Sequence, residues 1–273
     1  MRSGALAAPP VASPERPPAQ LLQFGSRVVT FCIVELQKLS HDRTELLTRA
    51  AQPILWLLVF GETFNRIHAV PTGSVPYIDF LAPGIIAQSG LFVAIFYGIQ
   101  IIWERDAGVL TKLLATPTPR SALILGKAFS ASIRALAQVI VVLVVCALIG
   151  VGLTSNPLRI LASFVAVALG SAFFACLSMS IAGLVLRRDR LMGIGQMITM
   201  PLFFASNALY PVAVMPAWVR AISKVNPLSY EVSALRALLI GTPADLWLDF
   251  GVLLVAVTIG VTVAARLVDR LAR

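Results

Sequence analysis

The chain is 273 residues long, 58% hydrophobic and only 13% charged, with a mean hydropathy of +0.86. Soluble globular domains carry about 45–50% apolar and about 25% charged residues, so water is not the solvent for most of this surface and an ordinary cytosolic enzyme is excluded. Basic residues outnumber acidic ones 22 to 13, and the resulting charge of +9 admits nucleic acid, anionic lipid or membrane topology as its cause.

Residues 1–20, with Pro9, Pro10, Pro14, Pro17 and Pro18 among small residues, cannot bury a core and read as a disordered tail that lacks a signal-peptide apolar run. Over 21–44 the pattern changes. Leu22, Val29, Ile33 and Leu36 lie along one side, while Glu35, Lys38, Asp42 and Glu45 follow at helical spacing, as in an amphipathic helix lying in the cytoplasmic interface. A membrane span needs about 20 mainly apolar residues, and the remainder, 45–273, holds six such stretches, near 46–64, 80–103, 130–152, 160–186, 191–213 and 246–266. The first carries Arg49 and Glu62 near its ends, so it spans only if those side chains snorkel to the headgroups. The sequence therefore predicts an all-α polytopic membrane protein.

Between the second and third stretches, 104–117 reads as a short helix with Val109, Leu110, Leu113 and Leu114 on one face and Pro117 as its stop. Its apolar ridge suits either a groove on a partner protein or the bilayer surface. After the fifth stretch, Pro216 can start a helix whose Trp218, Ile222 and Val225 share a face; Asn226-Pro227 ends it, and a second amphipathic helix runs to Gly241. Pro201 and Pro211 break the preceding span. Two short helices partly sunk in the outer leaflet would result, tolerable only if neighbours satisfy the broken backbone.

With six spans both ends lie on one side, and the basic residues say which. Arg2, Arg16, Arg27, Lys38, Arg43, Arg49, Arg105, Lys112, Arg120, Lys127, Arg187, Arg188, Arg190, Arg266, Arg270 and Arg273 fall on that side. Arg66, Arg159, Arg220, Lys224 and Arg236 fall on the other, with Arg134 at a span edge. Both termini are therefore expected in the cytoplasm, and the positive charge becomes an orientation rather than a nucleic-acid footprint.

The chemistry of an intramembrane enzyme is missing. His41 and His68 lie outside the stretches, no HExxH occurs, and Asp79, Asp245 and Asp249 sit near the outer boundary. Gly126-Lys127 is followed by Ala128 and lacks the upstream glycine of a phosphate-binding loop, so the chain does not hydrolyse a nucleotide by that route. Cys32, Cys146 and Cys176 are far apart and fit packing better than metal or disulfide chemistry. No catalytic, cofactor or metal residue is expected. Buried ionisable groups, the mark of a proton- or sodium-coupled carrier, are nearly absent, which points to an energy source outside the chain. The span polar residues Gln88, Ser89, Gln100, Gln138, Gln196, Ser206 and Asn207 either bond between helices or line a route for an amphipathic substrate.

In order along the chain stand Glu35-Leu36, Pro53 with Trp56, and the loop Glu104, Gly108, Leu110, Leu113-Leu114, Thr116-Pro117 and Arg120. Gly126-Lys127, Tyr210-Pro211, Pro216, Trp218 and Asn226-Pro227-Leu228-Ser229-Tyr230 with Arg236 follow. This ordered set within six spans resembles the membrane subunit of an ABC-2 type exporter, of the daunorubicin-resistance and nodulation-factor permease kind. The resemblance implies a half-transporter in a bacterial cytoplasmic membrane. Two permease subunits, identical or related, would assemble among membrane lipids with two separately encoded ABC ATPase subunits that hold ATP and Mg. It also implies that 104–117 is a coupling helix, with Glu104, Arg105, Gly108, Leu110, Leu113, Leu114 and Pro117 meeting the ATPase. The stretch 21–44 becomes a connecting helix and 214–241 re-entrant outer helices. Spans one, two and five would line the route, placing Gln88, Ser89, Phe92, Phe203, Ser206 and Asn207 along it. The expected activity is export of a hydrophobic or amphipathic drug, antibiotic or lipid by alternating access. The alternatives are export of a lipid-linked polysaccharide, or a scaffold or channel with no ATPase.

Overall fold

The computed structural model describes residues 43–67, 75–115 and 119–271, and every regular element among them is helical. The expected tail (1–20), nearly all of the interface helix (21–44) and Pro117 lie outside the described residues.

Helix α1 (Arg43–Leu55) runs through a π-helical turn (Trp56–Gly61) into α2 (Glu62–Ile67). Pro53 lies inside α1 and lacks the amide that would close the turn, and the widened turn follows three residues later. Next comes α3 (Tyr77–Ile99), whose residues from Leu81 to Leu91 are all buried. A short break at Gln100 leads to α4 (Ile101–Asp106), and Gly108 turns the chain into α5 (Val109–Leu114).

Helix α6 (Arg120–Ile149) ends at Gly150 with φ +87°. Helix α7 (Pro157–Val185) begins with Asn156 accepting a hydrogen bond from the Leu158 amide at 3.0 Å and with proline in the first turn, a start that the residue order alone encodes. Then come α8 (Arg188–Phe204), a 3-10 turn (Val212–Val214), α9 (Ala217–Val225), α10 (Pro227–Ile240) and α11 (Leu246–Leu271).

Among the described residues four helical segments are long and apolar enough to cross a membrane: Tyr77–Asp106, Arg120–Ile149, Pro157–Val185 and Leu246–Val268. The expected stretches at 46–64 and 191–213 are not among them. The first is divided by the π turn and carries Arg49 and Glu62. The second stops at Phe204 after 17 helical residues, because Pro201 denies the last turn an amide and the chain from Ala205 to Pro211 leaves the helix.

α3 is the central helix, packed on α6, α7, α8 and α10. Small residues let the backbones approach. A Cβ on Gly98 would stand 2.6 Å from the Ala175 carbonyl oxygen and 2.7 Å from the Ser178 Cβ, and one on Gly84 would stand 2.5 Å from the Ala208 carbonyl oxygen. Leu148, Leu158, Trp247 and Val255 point outward, as a lipid-facing surface requires.

Candidate functional site

The end of the bundle where α3 begins is built around a broken backbone. Where α8 ends, the freed carbonyls are taken by side chains from elsewhere: Asn226 Nδ2 donates to Leu202 O at 2.7 Å, and Tyr77 Oη donates to Leu209 O at 3.0 Å. Arg236 Nη2 donates to Asn207 O at 2.9 Å and Phe80 O at 3.3 Å. Within the segment, Ser206 Oγ donates to Phe203 O at 2.6 Å and Tyr210 Oη donates to Phe204 O. Side chains of the protein thus take up the carbonyls of Leu202, Phe203, Phe204, Asn207 and Leu209 in and beside this irregular stretch. On α9, Trp218, Ile222 and Val225 form an exposed apolar face, while Val219 and Ser223 turn inward.

α10 is more deeply buried than the partly sunk amphipathic helix expected there. It is buried on nearly every side, and it carries Glu231 at 0% and Arg236 at 7% exposure into the protein; Asp249 on α11 is buried as well. Ionisable groups are therefore present inside, contrary to the near-absence read from the spans. Arg236 lies with its guanidinium carbon 3.7 Å from the centre of the Phe80 ring. The sequence signal was available in the small residues Ser229, Ser233 and Ala234, which fit close packing better than a solvated face.

At the cytoplasmic-side end proposed from the basic residues, the first turn of the segment 101–114 is fastened to three helices. Lys127 of α6 donates to the Glu104 carboxylate, and Arg105 Nη1 donates at 3.2 Å to Leu186 O, the carbonyl just past α7. Arg188 of α8 lies 4.8 Å from the centre of the Trp103 ring. Gly108 then adopts φ +71°, which divides the expected single helix in two. Leu110 is fully buried and Leu114 packs on the same core, whereas Val109 is exposed. The apolar ridge is thus partly spent inward; Leu113 is half-buried.

Between α1, α3 and α6 lies a cavity of about 320 Å³, lined by Arg49, Gln52, Gln88, Ser89, Phe92 and Gln138 among others. A second cavity, about 490 Å³, shares Arg49 and Phe96 with it and continues past Gln100 to Trp103 and Glu104. The structure therefore brings Gln88, Ser89 and Phe92 together. It places Phe203, in the last turn of α8, and Ser206 and Asn207, in the broken segment, elsewhere; Phe203 is fully buried, 6.0 Å from the Trp56 ring. No cluster of metal-ligating side chains occurs among the described residues.

The family model described as "ABC-2 type transporter" matches residues 28–240. The chain belongs to this family. Among its relatives, a putative transport permease (ycf38) of Porphyra purpurea is 30% identical over 70% of this chain and 66% of its own length, so the match spans about two thirds of that protein. A daunorubicin resistance ABC transporter permease (DrrB1) of Streptomyces coeruleorubidus is 24% identical over 85% of this chain and 81% of its own. Nodulation protein J of Rhizobium leguminosarum bv. viciae is 26% identical over 82% and 86%. As an ABC-2 type protein the chain is a membrane transport permease, and the match takes in the segment 101–114, both cavities and the whole of α9 and α10.

Proposed function

We propose that this ABC-2 type permease is the membrane half of an ATP-driven exporter for a hydrophobic or amphipathic compound, energised by separate ABC ATPase subunits. Two permease subunits, identical or related, and two ATPases complete the assembly. The observation that carries this reading is the fastening of residues 101–114 to α6, α7 and α8 through Glu104, Arg105 and Trp103. A push delivered at α5 reaches three helices at once, which is what a coupling element must do. ATP supplies the shift between inward- and outward-facing states, and cargo must bind the two differently for net export.

In this reading the chain crosses a bacterial cytoplasmic membrane six times, with the run from α1 to α2 and helix α8 joining the four long spans, and both termini in the cytoplasm. α9 and α10 re-enter from the outer face, with Trp218, Ile222 and Val225 in the outer leaflet. The cavities beside Gln88, Ser89 and Phe92 lie on the cargo route.

The test is co-expression with candidate ABC ATPase subunits from the same genome, followed by reconstitution into vesicles. The expected result is a complex whose ATPase activity rises with cargo and whose vesicles accumulate that cargo only with ATP. A permease that purifies without an ATPase and passes solute down its gradient overturns the reading in favour of a channel. A reporter fused after Arg273 is expected to be cytoplasmic; an external signal there overturns the six-span arrangement.

A further inference from the structure

Helices α7 and α8 are joined by Leu186 and Arg187 alone. Leu186 adopts φ +54°, and among the described residues it is the one non-glycine residue with positive φ; Gly108, Gly150 and Gly241 hold the other such positions. In this conformation a Cβ crowds the following carbonyl oxygen, which depletes it about 5- to 30-fold in an unconstrained residue. Such an angle persists only where the surroundings impose it. The leucine side chain is exposed and stands apart from the buried core, so its packing is not what imposes it. Hydrogen bonds do. The Leu186 amide donates to Ala182 O at 3.1 Å, closing the last turn of α7, and the Leu186 carbonyl accepts from Arg105 Nη1 at 3.2 Å. Arg105 is itself aimed by Asp106, whose Oδ1 accepts from Nε at 3.1 Å and from Nη2 at 2.9 Å. Trp103 carries the Arg188 guanidinium on its ring, so α4 holds the chain on both sides of Arg187.

The direction of α8 depends on this joint. The helix runs 17 residues from Arg188, about 25 Å, with Leu191, Gly195 and Thr199 at four-residue intervals on its buried face. Gly195 lies so close to α3 that a Cβ would stand 2.8 Å from Ile99 Cδ1. We propose that Leu186 is a strained joint that Arg105 holds in its left-handed turn, through which the segment 101–114 sets the direction of α8. While Arg105 holds the Leu186 carbonyl, α8 keeps its present direction. When a displacement of 101–114 withdraws the guanidinium, Leu186 relaxes out of the left-handed region and α8 turns about it, carrying Phe203 and the broken segment beyond. Arg105 and Leu186 are thus positioning residues. The purpose of the joint rests on the exporter reading, in which the ATPase moves 101–114, whereas the strain is a property of the permease alone and is tested there.

The experiment uses the full chain in phosphatidylcholine nanodiscs and reads hydrogen–deuterium exchange by mass spectrometry, corrected for intrinsic rates. The peptide followed carries the Leu186 and Leu191 amides, which donate to Ala182 O and Arg187 O. Leu186→Gly removes the strain and is expected to slow exchange there about fivefold or more. Leu186→Ala keeps the Cβ and should stay within about twofold of wild type. Arg105→Met frees the joint and is expected to speed exchange about tenfold, and adding Leu186→Gly to it should recover most of the protection. At an unstrained position glycine loosens the backbone, so the sign of its effect decides. Exchange faster in Leu186→Gly than in wild type overturns the proposal, as does exchange in Arg105→Met no faster than in wild type. With ATPase subunits in vesicles, Leu186→Gly is expected to lower cargo-stimulated ATP turnover several-fold, an effect opposite to its gain in order. Unchanged turnover in Leu186→Gly protein whose exchange has slowed overturns the link from the joint to the movement of α8. The expected exchange pattern in a permease that shows no ATP-driven export leaves the strained joint standing and overturns the exporter reading.

Discussion

Lys127 of α6 and Glu104 of α4 form an ion pair across 23 residues of sequence, and it joins the segment 101–114 to the long helix that follows it. The lysine side chain is 12% exposed and the glutamate 33%, so the pair lies between the surface and buried limits. Exposed pairs contribute about 0–1 kcal/mol, whereas breaking a buried pair by removing one partner costs about 3–5 kcal/mol. Lys127→Met is therefore expected to cost about 1–3 kcal/mol. It should also lower cargo-stimulated ATPase activity in the assembled complex by more than that stability loss explains. The exchanged pair, Glu104→Lys with Lys127→Glu, should recover most of both. Thermal unfolding beside ATPase assays checks this, and a swap no better than either single variant would show that the pair is not a mechanical tie.

Gly108 tests the turn between α4 and α5. Its φ of +71° is a conformation that costs residues with a Cβ about 1–2 kcal/mol, and a Cβ there would meet nothing within 4 Å, so strain is the whole penalty. Gly108→Asn is expected to be milder than Gly108→Ala, because asparagine tolerates left-handed backbone. Gly108→Pro should be worst, since its ring holds φ near −65°. Melting temperatures of the three variants in one detergent give the order. An alanine variant as stable as wild type would mean that the turn is not held at this angle in the membrane.

Much of this architecture is legible in the residue order because its signals are local. Asn156-Pro157 and Asn226-Pro227 start α7 and α10, while Gly150 and Gly241 end α6 and α10 with φ +87° and +77°. Trp218, Ile222 and Val225 do share an exposed face. What the pattern could not reveal depends on distant partners. The 3.6-residue period groups Leu110 with Val109, but only the packing of α5 on the core decides that one is buried and the other exposed. Arg236 looks like one more outer-side charge until the carbonyls of Asn207 and Phe80 are located next to it in space. For the cavity, Gln88, Ser89 and Phe92 are visible as span residues, yet Gln52, Arg49 and Gln138 join them only through the meeting of α1, α3 and α6.

Glu231 supplies a prediction about shape rather than charge. Its carboxylate lies against Gly170, where a Cβ would collide with it, and neither carboxylate oxygen has a hydrogen-bond partner among the described residues. A buried acid that makes no hydrogen bond gains nothing from its charge and loses hydration. Glu231→Gln should therefore fold and melt within about 1 kcal/mol of wild type, a shift typical of volume-conserving changes. Gly170→Ala forces the buried Glu231 carboxylate aside and should destabilise more than Gly193→Ala, whose added Cβ meets nothing within 4 Å. If Glu231→Gln fails to insert or melts many degrees lower, the carboxylate has a partner in the assembled membrane complex.

Arg236 holds the broken end of α8, and its contribution can be separated from simple bulk. The guanidinium reaches Asn207 O and Phe80 O while resting over the Phe80 ring. Arg236→Met keeps most of the volume but removes the donors, so the buried Phe80 carbonyl and the part-buried Asn207 carbonyl lose a partner, at up to about 1–3 kcal/mol each. Arg236→Lys keeps the charge but loses the planar fork, so a single ammonium must serve acceptors on two different segments. The expected order of stability is wild type, then Lys, then Met. Proteolysis is expected to open first in the 205–211 segment that those hydrogen bonds hold, because the freed carbonyls lie there and at the neighbouring α3 turn. Limited proteolysis with mass mapping reads the site directly. Met as stable as Lys, with no new cleavage after Phe204, would show that packing over Phe80 rather than hydrogen bonding secures the segment.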